Sequence, residues 1–191
     1  MEQVVQICKI KGLPNPSRGG AYFLFKLHPL FMKEQTFQFS YEVYNSSDEL
    51  NDRDAWLLNE ARDVTKQAYA PYSNFYVGAV AKLINGEIVA GSNQENASFP
   101  VGICAERVLL STISSLYPNT PIDTLAVSYQ SEVVKSDHPI SPCGMCRQAL
   151  QEFESRTGPI RLILGGMEGK VYIIKSSGQL LPLAFTSEEL G

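Results

Sequence analysis

Three of the chain's four cysteines stand where helices are expected to begin, and no other feature constrains the fold as much. Cys104 opens "CAERVLLSTISSLY", and Cys143 and Cys146 open "PCGMCRQALQEFES". Their i, i+3 spacing puts the second pair on one side of the first turn of a helix. Ser141 is placed to cap that helix and Pro142 to sit in its opening turn. The positive end of a helix lowers thiol pKa and favours the thiolate, the form that binds metal. If the two helix starts converge, three sulfurs meet at one point.

The rest of the pattern supplies elements that can bring them together. Leu57, Leu58, Ala61, Val64, Thr65 and Ala68 recur at helical spacing, and "APYS" closes that run at Pro71. "FYVGAVAKLINGEIVAGSNQE" reads as a hairpin, with Asn85-Gly86 suited to a tight primed turn. The helix begun at Cys104 stops before Pro118, "IDTLAVSYQ" is a buried strand, and "CRQALQEFES" is a second cysteine-led helix. "IRLILGG" and "KVYIIKSS" are two further strands, and "LLPLAFTSEELG" suggests a short terminal helix. Strands alternating with helices predict a layered α/β domain with a mixed sheet.

Length and composition bound what such a domain does. With 191 residues, 44% hydrophobic and 19% charged, the chain is expected to build one domain around a single core. No stretch approaches the roughly 20 apolar residues of a membrane span. The apolar "AYFLFKLHPLF" is broken by Lys26, His28 and Pro29 and is not expected to be a secretory signal. Four cysteines are too few for a secreted disulfide scaffold, so a cytoplasmic location is expected, where a Cys-x-x-Cys pair is metal-binding or catalytic. Residues 1–31 carry Lys9, Lys11, Arg18 and Lys26 against Glu2 alone, while the whole chain has a net charge of −4. The body is therefore acidic, a poor match for phosphate backbones, and no nucleic-acid partner is expected.

Residues 1–45 are expected to form an N-terminal arm and residues 46–191 the main domain. The Pro- and Gly-rich "LPNPSRGG" has no sustained period, and the alternation of Phe37, Phe39, Tyr41 and Val43 suggests a strand or extended arm. Met32 is a candidate natural start, with residues 1–31 an upstream addition; the alternative is a short arm packed on the body.

Ligand count decides what the cysteines can do. A closed structural zinc site takes four protein ligands, whereas a catalytic one keeps a position for water. Cys8 lies far away in the arm, and neither His28 nor His138 sits in a ligand pattern; His138 reads as a surface loop residue. Three ligands and an open position are favoured, with closure by Cys8 or a carboxylate as the alternative. Glu106 stands beside Cys104 in the first turn, where its side chain can reach past the helix end to act as a proton shuttle. Three thiolates and Zn²⁺ sum to a charge of −1, which Arg107 or Arg147 can offset, Arg107 being preferred.

"CAE" followed by "PCGMC" resembles the signature of zinc-dependent deaminases. "YAPYSNFYVGAV", "NQENASFPVGICAER", "ISPCGMCRQAL" and "LLPLAF" are similar, in order, to blocks of the small cytidine deaminases that act on free nucleosides. The resemblance covers about residues 50–191. It implies a three-layer α/β/α fold with a mixed five-stranded sheet, a Zn²⁺ ion held by Cys104, Cys143 and Cys146, and Glu106 as the catalytic proton carrier. It further implies that Asn93 and Glu95 bind the ribose hydroxyls, Phe75 stacks on the pyrimidine, and the Ala105 backbone contacts the base. Arg107 matches the family's charge-balancing arginine. The implied assembly is a homotetramer, with Phe185 reaching into a neighbouring chain's site. Tyr76 stands where proline is common and Phe99 where tyrosine is common, which removes one cross-subunit hydroxyl.

Overall fold

The computed structural model describes residues 33–191, and residues 37–191 form one compact unit. Residues 1–32 lie outside the description. So do the expectations placed on them: the upstream addition before Met32, His28, and closure of the metal site by Cys8.

Six strands form one sheet: β1 (Tyr41–Tyr44), β2 (Phe75–Leu83), β3 (Ile88–Ser92), β4 (Ile122–Ser131), β5 (Arg161–Gly165) and β6 (Val171–Ile174). Their order across the sheet is β1-β6-β5-β4-β2-β3. Only β4 and β5 pair in parallel, so the sheet is mixed. The expected number was five. The sixth is β1, which lies before residue 46 yet pairs antiparallel with β6 from Tyr41↔Ile174 to Tyr44↔Val171. Four residues of alternating apolar and polar character are enough for an edge strand when a partner edge is free.

Three α-helices complete the layers: α1 (Asp52–Val64), α2 (Ala105–Leu116) and α3 (Gly144–Thr157). Side chains alternate across a strand, so each strand feeds both faces. Val80, Ala126, Ile163 and Ile173 bury against Leu57, Leu58, Ala61 and Val64 of α1. Ala79, Ala81, Leu125, Val127, Leu162 and Leu164 bury against Leu109, Ile113, Leu150 and Phe153 of α2 and α3. The predicted α/β/α sandwich is thus present.

Two local details differ from expectation. The first helix gives way to a short 3-10 turn at Thr65–Gln67, ahead of Pro71. In the β2–β3 turn only Gly86 has positive φ (93°), whereas a two-residue primed turn of the Asn-Gly type needs it at both central residues. The Gly86 amide donates to the Leu83 carbonyl at 3.0 Å, giving a longer turn closed by a left-handed glycine. Among the described residues no helix is long and apolar enough to cross a membrane.

Strand direction places the site. Both β3 and β4 run antiparallel to β2, so they end at the same side of the sheet. The helices that follow them, α2 and α3, pack on one face and therefore both begin near that side. Gly91 allows α2 to press on β3: a Cβ there would lie 2.7 Å from the Ala105 carbonyl oxygen and 2.6 Å from the Leu109 amide.

Candidate active site

Cys104 and Cys143 are the N-cap residues of α2 and α3, each with extended backbone and no side-chain capping bond. Ser141 was the expected cap of α3; Cys143 holds that place instead, and Pro142 precedes the helix. A thiol at an N-cap projects off the helix end, toward the unpaired amides and their partial positive charge. The Cys104 and Cys143 sulfurs are 3.7 Å apart, those of Cys143 and Cys146 3.4 Å, and all three lie within 4.8 Å of one another. No pair is bonded as a disulfide. Sulfurs around a tetrahedral zinc at about 2.3 Å would be separated by about 3.8 Å, so the trio fits that ion without large movement.

The thiols share protons unevenly. Hydrogen bonding from Cys146 lowers the Cys104 pKa to about 6, with Cys143 and the positive charge of Arg107 adding to the effect against burial and Glu106. Cys146, fully buried, is pushed the other way by its bond to Cys104 and by desolvation. The cluster thus favours the thiolate at Cys104, and a bound metal would displace the remaining thiol protons.

Glu106 is only 5% exposed and, among the described residues, is the one buried carboxylate beside the sulfurs. Burial pushes its pKa up, and hydrogen bonds from its own amide and from Cys146 offset that only in part. Of the two candidate arginines, Arg147 is occupied elsewhere: its Nε donates to the Pro142 carbonyl at 2.8 Å and Nη1 to the Leu180 carbonyl at 3.2 Å. It clamps the cysteine loop to the C-terminal segment. Arg107 is half-buried and acts on Cys104 through its charge.

Backbone bridges connect Cys104 to the other predicted site residues. Gln94 pairs with Tyr69 on one side and with Ile103, the neighbour of Cys104, on the other. Asn93 and Glu95 flank Gln94. Both polar ends of Asn93 are engaged with β2: Nδ2 donates to the Phe75 carbonyl at 2.9 Å, and Oδ1 accepts from the Val77 amide at 2.7 Å. Glu95 accepts from the amides of Tyr72 at 2.9 Å and Ser73 at 3.3 Å. Burial alone would raise its pKa, but the Ser73 hydroxyl and these amides hold the carboxyl below its usual range. Glu95 lines a cavity of about 360 Å³ with Tyr72, Ser73, Asn96, Phe99 and Gly102. A larger concavity, about 1140 Å³, lies at the opposite end of the sheet around Arg161 and Lys82; no cysteine lines either one.

Residues 51–160 match the family model for the cytidine and deoxycytidylate deaminase zinc-binding region. This span contains all three cysteines and Glu106. The chain belongs to that deaminase family. A cytidine deaminase of Halalkalibacterium halodurans is 36% identical over 134 residues, covering 70% of this chain and 95% of the relative. A blasticidin-S deaminase of Bacillus cereus is 28% identical over 141 residues, covering 72% and 95%. The crystal structure of a cytidine deaminase from Burkholderia pseudomallei superposes with a TM-score of 0.59 at 34% identity, over 71% of this chain and all of that one.

As in a zinc-dependent deaminase, the metal is zinc, and the three-sulfur set suits it. The other residues singled out by the sequence resemblance are distributed as follows. Ala105 is fully buried with its methyl in the core, leaving its backbone at the helix start. Phe75, half-buried at the first position of β2, stacks on Tyr129. Phe185 is 59% exposed, and its carbonyl accepts from Gln148 at 2.8 Å. Of the two departures, Tyr76 reaches Asn74 at 3.4 Å, and Phe99 stands 74% exposed with its ring edge-on to Tyr72.

Three supporting residues were missed by sequence reading. Tyr129 read simply as part of a buried strand. Arg147 was weighed only for its charge. Glu154 of α3 accepts from the Ser176 and Ser177 hydroxyls and, at 2.9 Å, from the Gly178 amide, anchoring the segment before Phe185. No local signal distinguishes it from the other acidic residues of an exposed helix face.

Proposed function

We propose that the protein hydrolyses cytidine and 2′-deoxycytidine to uridine and 2′-deoxyuridine with release of ammonia. The observation that carries this reading is the buried Glu106 carboxylate at the same helix start as a three-sulfur cluster. Cys104, Cys143 and Cys146 would hold zinc, which when bound supplies Lewis-acid activation of water. Glu106 accepts a proton from the attacking water and delivers it to the ring nitrogen next to the amino-bearing carbon. The hydroxide forms a C–O bond at that carbon; Glu106 then takes the second proton from the new hydroxyl and passes it to the amine, which leaves as ammonia as the C–N bond breaks and the carbonyl forms. A carboxyl with a pKa raised by burial is suited to both halves of that transfer.

Phe75 stacks on the pyrimidine and the Ala105 backbone meets its polar edge. Glu95 receives a ribose hydroxyl, supported by its place in the smaller cavity. Asn93 holds the Phe75–Val77 backbone in position as well as facing the sugar. Arg107 moderates the excess negative charge of the thiolates. The assembly is a homotetramer in the cytoplasm, with Phe185 serving a neighbouring site; its exposure, and that of Leu183, supports this.

A second reading is an aminopyrimidine-antibiotic deaminase, favoured by the likeness to the Bacillus cereus enzyme. An ultraviolet assay of the purified protein with cytidine, deoxycytidine, deoxycytidylate and blasticidin S side by side tests both. Turnover of the two nucleosides is expected. Turnover of blasticidin S alone would transfer the assignment to the second reading, and none with any substrate would refute both.

A further inference from the structure

Tyr129 is fully buried on β4, diagonal to Phe75 of β2 across the register pair Val77↔Tyr129. The two rings stack, with centroids 5.0 Å apart and planes 15° from parallel. The stack covers one side of Phe75 while that residue stays half-exposed. The same tyrosine reaches the segment that leads to the metal cysteines. Its hydroxyl donates to the Lys135 carbonyl at 3.1 Å and lies 3.3 Å from Nδ1 of His138, whose ring meets the Tyr129 ring edge-on.

The segment itself is held from its other side. The Glu168 amide donates to the Ser136 carbonyl at 3.2 Å, and a Cβ on Gly166 would lie 2.3 Å from that same oxygen. The Ser136 hydroxyl accepts from the Ser131 amide at 3.0 Å. Five residues beyond His138 the chain delivers Cys143 to the sulfur cluster. Tyr129 therefore touches both the ring assigned to the pyrimidine and the segment that leads to Cys143.

We propose that Tyr129 is a positioning residue for substrate binding: its ring backs Phe75 at the angle the pyrimidine needs. The inference rests on the reading of Phe75 as the stacking residue. A phenyl ring at the start of a strand, without a flat partner behind it, can turn about its side-chain bonds, and a base would have to order it on binding. Aromatic pairing of this kind has already ordered it. Lost pairing should thus weaken substrate binding more than it slows the chemistry, because Tyr129 has no contact with the acid–base group.

The test is steady-state cytidine kinetics with zinc content on Tyr129→Phe, Tyr129→Leu and Tyr129→Met, the last two also in a Phe75→Leu background. Tyr129→Phe keeps the stack and is expected to hold KM within about twofold of wild type, while Leu and Met raise it about 3–10-fold, the span of one aromatic pair. In both, kcat should change less than about threefold and zinc remain stoichiometric. In the Phe75→Leu background the same substitutions should add less than about twofold, since the ring they support is gone. An unchanged KM, an equal rise in both backgrounds, or a joint fall of kcat and zinc would overturn the proposal. Failure of both Leu and Met variants to fold would do so too, by assigning Tyr129 to the core alone. A wild-type protein with no cytidine turnover is a different result, and refutes the function rather than the role of Tyr129.

Discussion

The sulfurs of Cys104 and Cys143 stand 3.7 Å apart although 39 residues separate them in the chain. Each is the residue just before a helix, and the two helices begin at the same side of the sheet because β3 and β4 share a direction. A metal centre built this way depends on sheet order as much as on the cysteines.

Glu106→Gln is expected to keep the fold and the zinc and to lose about 10²–10⁴ in kcat, since the amide can neither take nor return a proton. Turnover and metal analysis of the purified variant check this. Activity close to wild type would remove Glu106 from the reaction.

Cys143→Ala and Cys146→Ala should each abolish stoichiometric zinc and activity together. A strong chelator applied to the wild type should do the same reversibly, with zinc salts restoring turnover. Retention of tight zinc in either variant would mean the ligand set is wrong. Cys146→Ala should also be the less stable of the two, because Cys146 is fully buried and Cys143 is exposed.

Asn93→Ala removes two hydrogen bonds to β2, to the Phe75 carbonyl and from the Val77 amide. The expected cost is about 1–3 kcal/mol of stability, accompanied by a higher KM because Phe75 loses its backbone anchor. Denaturant unfolding and cytidine kinetics on one preparation measure both. A KM effect with no stability effect would assign Asn93 to ligand contact alone.

The Arg161 guanidinium makes a two-pronged contact with Asp54, at 2.8 and 2.6 Å, away from the cysteines. Burial pushes the Asp54 carboxyl up, but the Arg161 hydrogen bonds and charge, with Asn51, hold it below the usual aspartate range. A depressed folded pKa means this contribution is complete above the unfolded value and is lost as pH falls through the folded one. Stability should therefore decline on the acid side, from about pH 4 downward. Asp54→Asn should lower stability at neutral pH by about 1 kcal/mol, since the Arg161 side chain is part-exposed, and flatten that acid-side slope. An unaltered slope in unfolding measured against pH would point to other carboxylates.

Phe185→Ala should weaken the assembly and raise KM if this ring completes a neighbouring site. Sedimentation velocity and kinetics across a range of protein concentrations follow both effects. A monomeric wild type with full activity would refute the tetramer and the cross-subunit role together.

Element types and the cysteines of the sulfur cluster were legible in the sequence because their signals are local. Helical spacing of Leu57, Leu58, Ala61 and Val64, the β2–β3 hairpin marked by Asn85-Gly86, and a cysteine at the head of each of two helices all lie within a few residues. The same locality limited the reading. Ser141 had the right chemistry for a cap, yet the chain turned into α3 two residues later and gave the position to Cys143. β1 read as a strand or an extended arm, and only its pairing with the edge of β6 decided between them.

From residue types and spacing alone came the three thiols, the adjacent carboxylate and the alternation of strands with helices, because thiolate chemistry and backbone periodicity travel with the local chain. Tertiary structure decided that the sulfurs converge, that Arg147 clamps a loop, that Asn93 braces β2, and that Tyr129 lies flat behind Phe75. Each of these relations joins residues distant in sequence, and strand order and helix packing, not local preference, bring them within contact distance.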